Sequence, residues 1–130
     1  MQKIIRFGAV LSVLALTTAT VAGVVMKKSA VVRFMKPIVI AGAIVEGTVI
    51  VEHDDARMAR GEPCTTVFEA DPVTHAKRRV AVEFMCVPVE RAVAKTFQAT
   101  CKRLFTAAPE RLVEYQFAGE TEGHGVPLYR

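Results

Sequence analysis

The stretch Val80–Val89, which reads V-A-V-E-F-M-C-V-P-V, is the most strand-like run after the N-terminal segment. Val80, Val82, Phe84 and Cys86 share one parity, and the residues between them take the other. Alternation with a period of two, in a run rich in valine and aromatic residues, is typical of a half-buried β-strand. We therefore predict a central strand here, onto which the neighbouring segments fold back.

Short apolar runs bounded by turn residues recur along the rest of the chain. The further predicted strands cover residues 30–36, 38–41, 48–53, 64–70 and 110–118. Pro37 ends the first of them at an edge or a bend, since proline cannot donate to a sheet ladder. The glycine-bracketed segment 42–47 predicts a hairpin with a longer loop, and the glycine-rich tail 119–130 predicts an extended or irregular end. The fold class is all-β: a small antiparallel β-sandwich or short barrel built of hairpins.

Residues 89–108 carry two competing periodicities. Read as a strand, the segment directs Phe97, Ala99 and Cys101 to the core. Read as a helix, it places Val89, Val93, Phe97 and Cys101 on one amphipathic stripe. We favour the strand, because turn signals elsewhere recur every eight to twelve residues, as in sandwiches and barrels. The alternative is an α+β fold with a helix at about 89–108.

Residues 1–26 have the pattern of an export segment. Lys3 and Arg6 precede an uncharged apolar run at 7–26 that includes small residues suited to cleavage, and this order is typical of a secretory signal peptide. The run is also just long enough to cross a bilayer as a helix. We predict a signal peptide or membrane anchor at 1–26 and a small β-rich exported domain at 27–130. The predicted location is periplasmic or extracellular, or alternatively anchored to the membrane by residues 7–26.

Charge and motif content restrict the function classes. The net charge is +4, and two of the basic residues, Lys3 and Arg6, lie in the N-terminal segment. So small and scattered an excess predicts no nucleic-acid partner. The chain has only two serines, Ser12 and Ser29, and no GxSxG, HExxH, GxGxxG or P-loop motif, so a non-enzymatic role is favoured over an enzyme. The predicted partner is a protein or small ligand, with membrane contact only through an uncleaved N-terminus.

The three cysteines predict one disulfide and one unpaired thiol in an oxidising compartment. If residues 64–70 and 79–89 form a hairpin around the turn at 71–78, facing residue numbers sum to about 149. Cys64 then lies opposite Met85 and Cys86, and we predict a Cys64–Cys86 disulfide. If the next segment folds back as a strand, Cys101 also lies beside Cys86.

His53 and His124 are the histidines whose surroundings admit a metal ion. His53 ends a predicted strand and is followed by two aspartates, while His124 lies between two glycines in the tail. If the tail folds over the loop after His53, a soft copper or zinc set is predicted from His53, Met58 and His124. The favoured interpretation has no cofactor and makes His53 a rim histidine beside acidic loop residues, and the copper or zinc set is the alternative.

The loop between Asp54 and Pro63 is longer than typical connections, and long loops on rigid scaffolds often carry binding residues. Its candidate contact residues are Asp54, Asp55, Arg57, Met58 and Arg60. Our leading hypothesis is a non-enzymatic exported binding or structural module that uses this loop, with part of the tail. The alternatives are a periplasmic or secreted metal-binding or redox protein, and a small membrane-anchored protein with a peripheral domain.

Overall fold

The computed structural model describes residues 27–129, so the predictions made for the signal or anchor segment lie outside the described residues. Within this range the chain forms eight strands and one short helix: β1 (Lys27–Ile40), β2 (Ala43–Asp54), α1 (Asp55–Ala59), β3 (Thr65–Ala70), β4 (Lys77–Phe84), β5 (Val87–Glu90), β6 (Gln98–Lys102), β7 (Arg111–Gln116) and β8 (Glu122–Gly125). Among these elements, no helix has the length and apolar character needed to span a bilayer. The all-β prediction is confirmed, and the alternative of a helix at 89–108 is wrong.

The strands form one curled sheet, a half-barrel with the order β4-β3-β2-β1-β7-β8-β5, and β6 pairs with β7. Strands β1 to β4 make an antiparallel meander, and β5 to β8 make a second antiparallel group. The two groups join through a single parallel pair, Val39 with Arg111. This arrangement combines features of the sandwich and of the short barrel that the sequence predicted.

The predicted central strand is divided in two. It breaks at Met85 and Cys86, between β4 and β5. These two strands lie at opposite ends of the strand order, although only two residues separate them along the chain. The sheet must therefore curl until its ends approach each other, and Cys86 lies where they meet. Pro88 follows the break, as expected for a residue that is confined to strand edges and starts.

The β1–β2 hairpin has a tight turn instead of the longer loop predicted at 42–47. Strand pairing continues to Ile40 and Ala43, leaving only Ala41 and Gly42 in the turn. Both have positive φ angles, 48° and 86°, which is the backbone of a type I′ hairpin turn. The prediction failed because Ala41 carries no signal for the left-handed region. The irregularity at Pro37 is confirmed: the β1–β2 register shifts between Phe34 and Ile38.

The core lies inside the curl. Its fully buried side chains come from both strand groups: Ile40, Val49, Val51, Val67, Phe84, Leu112 and Tyr115. Val49, Val51 and His53 share one parity of β2 and are all buried. The polar side chain of His53 thus extends the buried apolar row formed by Val49 and Val51.

Candidate metal centre

The first half of the site is built by strand register in the β1–β4 meander. His53 of β2 pairs with Thr65 of β3, and Thr65 pairs with Phe84 of β4. The predicted β3–β4 register is confirmed, since the numbers of these last two residues sum to 149. Cys64 directly precedes this row and Cys86 follows it, so both cysteines lie at the same end of the half-barrel as His53.

The second half of the site comes from β8, in the tail that was predicted to be extended or irregular. His124 pairs with Tyr115 of β7 on one side and with Pro88 of β5 on the other. The flanking glycines let β8 fit between these strands: a Cβ on Gly125 would lie 3.2 Å from the Val87 carbonyl oxygen, and a Cβ on Gly123 would lie 2.5 Å from the Glu114 carboxylate. The sequence around His124 therefore fits an interior strand.

The two halves meet through ring and hydroxyl contacts. The ring centroids of His53 and His124 are 4.3 Å apart. Tyr115 stacks on His124 at 4.8 Å, with an interplanar angle of 20°. The Tyr115 hydroxyl forms a hydrogen bond with the Thr65 hydroxyl, which ties β7 to β3. His124 is thereby fixed in orientation against His53.

His53, Cys86 and His124 form a compact buried cluster. One ligand atom from each lies within 4.8 Å of the others, and their exposed fractions are 3%, 6% and 2%. The Cys86 sulfur lies 3.5 Å from Nδ1 of His124. Two imidazoles and one thiol, brought together from β2, the β4–β5 connection and β8, constitute a donor set for a transition metal.

His53 has one nitrogen occupied and one free. Its Nδ1 lies 3.1 Å from a carboxylate oxygen of Asp55, so Nδ1 carries the proton and donates it. Nε2 is buried and has no hydrogen-bond partner among the described residues. Burial, and secondarily the neighbouring His124, lower the pKa of His53, which favours the neutral imidazole. A neutral histidine oriented by a carboxylate, with its other nitrogen bare, is the form in which histidine binds a metal.

His124 has carboxylates at both nitrogens. Glu120 Oε1 lies 3.5 Å from Nε2, and Glu122 Oε1 lies 3.7 Å from Nδ1. Glu120 is also held by an ion pair with Lys28 at the start of β1. Glu120, held in this way, is placed to accept from Nε2, and Nδ1 faces both Glu122 and the Cys86 sulfur.

Cys86 has a second sulfur beside it. Cys64 Sγ lies 2.9 Å from Cys86 Sγ, and the Cys86 backbone N–H donates to Cys64 Sγ at 3.2 Å. The predicted proximity of the pair is confirmed, although both are free thiols in the structure. Burial, followed by the hydrogen bond with Cys64, raises the pKa of Cys86 to about 12. The thiol therefore keeps its proton at neutral pH unless a cation displaces it.

The prediction that Cys101 lies beside Cys86 rested on the wrong strand pairing. Cys101 lies on β6, which pairs with β7 and places it opposite Leu112. Residues 91–97 carry the chain away from β4 before β6 begins. Neither alternation nor turn residues indicate that β5 pairs at the opposite end of the sheet from β4.

An acidic cleft of about 630 Å³ adjoins the cluster. It is lined by Asp55, Met58, Ala59 and residues 119–122. Asp55 and Glu120 each contact one of the two buried histidines, so the cleft wall leads directly to the cluster. Carboxylates at this position would attract a cation and offer it a route inward.

Of the residues predicted in the contact loop, Asp55 and Met58 line the cleft, and the other three make contacts within the fold. Asp54 caps α1 by accepting from the backbone N–H groups of Ala56 and Arg57, a cap that the loop prediction missed. Arg57 donates to Glu83 at 3.0 Å, and Arg60 donates to Glu62 at 2.8 Å.

The structure brings His53 and His124 together as predicted and adds Cys86, which the sequence suggested only as a disulfide partner. Met58 lines the cleft and packs partly against the core, and its role as a ligand stays a prediction. Glu120 and Glu122 were not singled out. Glu120 and Glu122 precede His124 by four and two residues. In an extended chain this spacing places them on the same side as His124, and it was the only indication of their role in the sequence.

Comparison with protein-family models, curated proteins and solved structures gave no match for this chain. The functional inference therefore rests on the geometry of the site.

Proposed function

We propose that this protein is a metal-binding module that holds one zinc or copper ion through His53, Cys86 and His124. The observation that carries the proposal is the bare, buried Nε2 of His53, held by Asp55 in a cluster with a thiol and a second imidazole. An unpaired buried polar atom costs about 1–3 kcal/mol. A metal ion would relieve that cost.

The donor set determines the class of ion. Thiolate and imidazole ligands suit zinc and copper, whereas calcium and magnesium require oxygen ligands. With metal bonds of about 2.0–2.3 Å, ligand atoms around a tetrahedral ion lie roughly 3.3–3.8 Å apart. The cluster, spread over up to 4.8 Å, needs to contract by about 1 Å. The Cys86 connection lies outside the strand ladders and can supply this movement.

Asp55 and Glu120 support the two imidazoles. Carboxylates that accept from the distal N–H of metal-bound histidines fix their tautomer and increase their basicity, and their loss typically lowers metal affinity about 10–100-fold. The fourth position is left for water, a cleft carboxylate such as Glu122, or Met58. Met58 is the thioether that a copper site would use as a weak ligand.

Metal titration of the full chain tests the proposal. Protein stripped with a chelator and kept reduced is titrated with Zn²⁺ and, separately, Cu⁺, and the bound metal is counted by elemental analysis. We expect one equivalent in the wild type, and an affinity loss of about 100-fold or more for H53L, C86S and H124N.

H75N is the matched control for loss of a histidine. His75 is exposed in the β3–β4 turn with a φ of 61°, a conformation that asparagine tolerates, so this variant should bind like the wild type. Metal binding that survives all three site substitutions, or that disappears equally in H75N, would refute the assignment.

The acidic cleft favours a second candidate, a non-enzymatic binding or structural module. It joins the predicted contact loop to the tail in one surface. In that case a cationic ligand would bind through Asp55, Glu120 and Glu122. Binding would then survive C86S but fail in E122Q, which separates it from the metal proposal.

Export is part of either proposal and depends on the pattern of residues 1–26. The mature N-terminus of protein purified from its native compartment tests it. A start near residue 23 supports a cleaved signal, and an intact Met1 in a membrane fraction supports the anchored alternative.

A further inference from the structure

Cys86 is placed to form either of two bonds. On one side its sulfur faces His124 Nδ1 at 3.5 Å, and on the other it contacts the Cys64 sulfur at 2.9 Å. Cys64 falls outside the compact His53–Cys86–His124 group. The Cys86 sulfur therefore belongs to the ligand cluster, and the Cys64 sulfur contacts it from outside that cluster.

We propose that Cys64 and Cys86 form a redox pair that controls metal binding: the dithiol form binds the ion through Cys86, and the disulfide form does not. This inference rests on the proposed metal-binding function. A disulfide sulfur has no thiolate charge to give a cation, because the metal ligand is the deprotonated thiol. Formation of the Cys64–Cys86 bond thus reduces the set to His53 and His124.

The chemistry balances with a small disulfide oxidant of the glutathione disulfide class. One cysteine of the pair loses its proton as its sulfur attacks the oxidant, and this releases one thiol. The second cysteine then loses its proton, attacks the mixed disulfide and releases the other thiol. Cys64 and Cys86 lose two protons and two electrons in total, and the oxidant is converted into two thiols. A dithiol reductant reverses both steps.

The local backbone favours closure of this bond. Cys64 lies in the connection before β3 and Cys86 in the connection before β5, so neither is held within a strand ladder. The flanking strands are nevertheless in register at Thr65 and Phe84, which keeps the two connections side by side. The sulfurs need to approach by less than 1 Å to reach the disulfide distance of about 2.05 Å.

Metal and oxidant compete for the same sulfur, so the coupling is reciprocal. An ion bound to Cys86 protects the pair from oxidation. Oxidation lowers the affinity for the ion by a certain factor, and the bound ion lowers the equilibrium constant for disulfide formation by the same factor. We expect this factor to be about 100, near the upper end of typical couplings between sites.

The experiment compares reduced and oxidised full-length protein. The wild type, C64S and C101S are stripped of metal, treated with glutathione disulfide, and titrated with Zn²⁺ before and after reduction. Mass spectrometry of non-reduced peptides locates any disulfide. We expect a Cys64–Cys86 bond in the wild type and in C101S, with Zn²⁺ affinity falling about 100-fold and recovering on reduction. C64S cannot form the intramolecular bond, so the molecules that intact mass shows to carry no glutathione on Cys86 should bind Zn²⁺ equally after either treatment. Prior Zn²⁺ loading should slow oxidation of the wild type.

The outcomes separate the two proposals. Normal zinc binding by the reduced protein without any Cys64–Cys86 bond under oxidation would overturn the redox inference alone. Loss of zinc binding in reduced C64S would also overturn it, because Cys64 would then be a ligand. A disulfide that forms in a protein with no zinc binding when reduced would remove the metal-binding function and leave the pair with nothing to control.

Discussion

Replacing His53 with leucine should make the metal-free protein more stable while abolishing metal binding. The side chain is 3% exposed, and its Nε2 has no hydrogen-bond partner within residues 27–129. Removing an unsatisfied buried nitrogen is worth about 1–3 kcal/mol. The change also removes the hydrogen bond to Asp55, worth about 0.5–1.5 kcal/mol, and the lower end applies because the Asp55 side chain is 55% exposed. The net expectation is about 1 kcal/mol of added stability.

This gain is measurable by thermal and urea unfolding in the presence of a chelator. For a domain of this size, 1 kcal/mol corresponds to a rise in Tm of about 4–8 °C. Added zinc should reverse the order: at a free concentration 100 times Kd, binding stabilises the wild type by about 2.7 kcal/mol and leaves H53L unchanged. H75N should match the wild type in both conditions. Destabilisation of metal-free H53L by 1 kcal/mol or more would refute the reasoning, because Nε2 would then be making a favourable interaction.

Three further substitutions test the fold around the site. L112A truncates a core side chain that is only 1% exposed, and it should lower the free energy of unfolding measured in urea by about 2–5 kcal/mol. A loss below 1 kcal/mol would contradict the burial of Leu112 in the core. Y115F removes the hydroxyl that bonds the buried Thr65 hydroxyl and should cost about 1–3 kcal/mol. Equal stability of Y115F and the wild type would show that the two hydroxyls do not depend on each other. Asp71 accepts from the backbone N–H groups of Thr74 and Val73 and from the Arg78 side chain, and these bonds lower its pKa from 3.8 to about 2. The stability contributed by the ionised Asp71 is therefore present above about pH 4 and lost as the pH falls towards 2. D71N should lose less stability than the wild type between pH 4 and pH 2. Equal losses in the two proteins would exclude Asp71 as a cause of the acid destabilisation.

The β1–β4 meander was largely predictable from the sequence. Alternation in β2 placed His53 on the same face as Val49 and Val51. The turn at 71–78 set the β3–β4 register well enough to place Cys64 near Cys86. Both are local properties, carried by a period of two and by turn residues.

The second strand group was not predictable in the same way. β5 and β8 have four residues each, and β8 reads E-G-H-G, with no apolar alternation. Its place in the sheet follows from the small size of its glycines and from long-range pairing with β5 and β7. The contact between His124 and Cys86 depends on the curl that returns β5 to the other end of the sheet. Residue spacing along the chain does not encode that closure, so the sequence suggested a histidine pair and a cysteine pair separately and missed their convergence.

X-ray absorption at the zinc edge of the reduced, zinc-loaded protein tests the central claim most directly. We expect one thiolate sulfur at about 2.3 Å and two imidazole nitrogens at about 2.0–2.1 Å, with this sulfur absent in C86S and present in C64S. A shell made only of oxygen and nitrogen in the wild type, or a shell with two sulfurs of which one disappears in C64S, would contradict a centre formed by His53, Cys86 and His124.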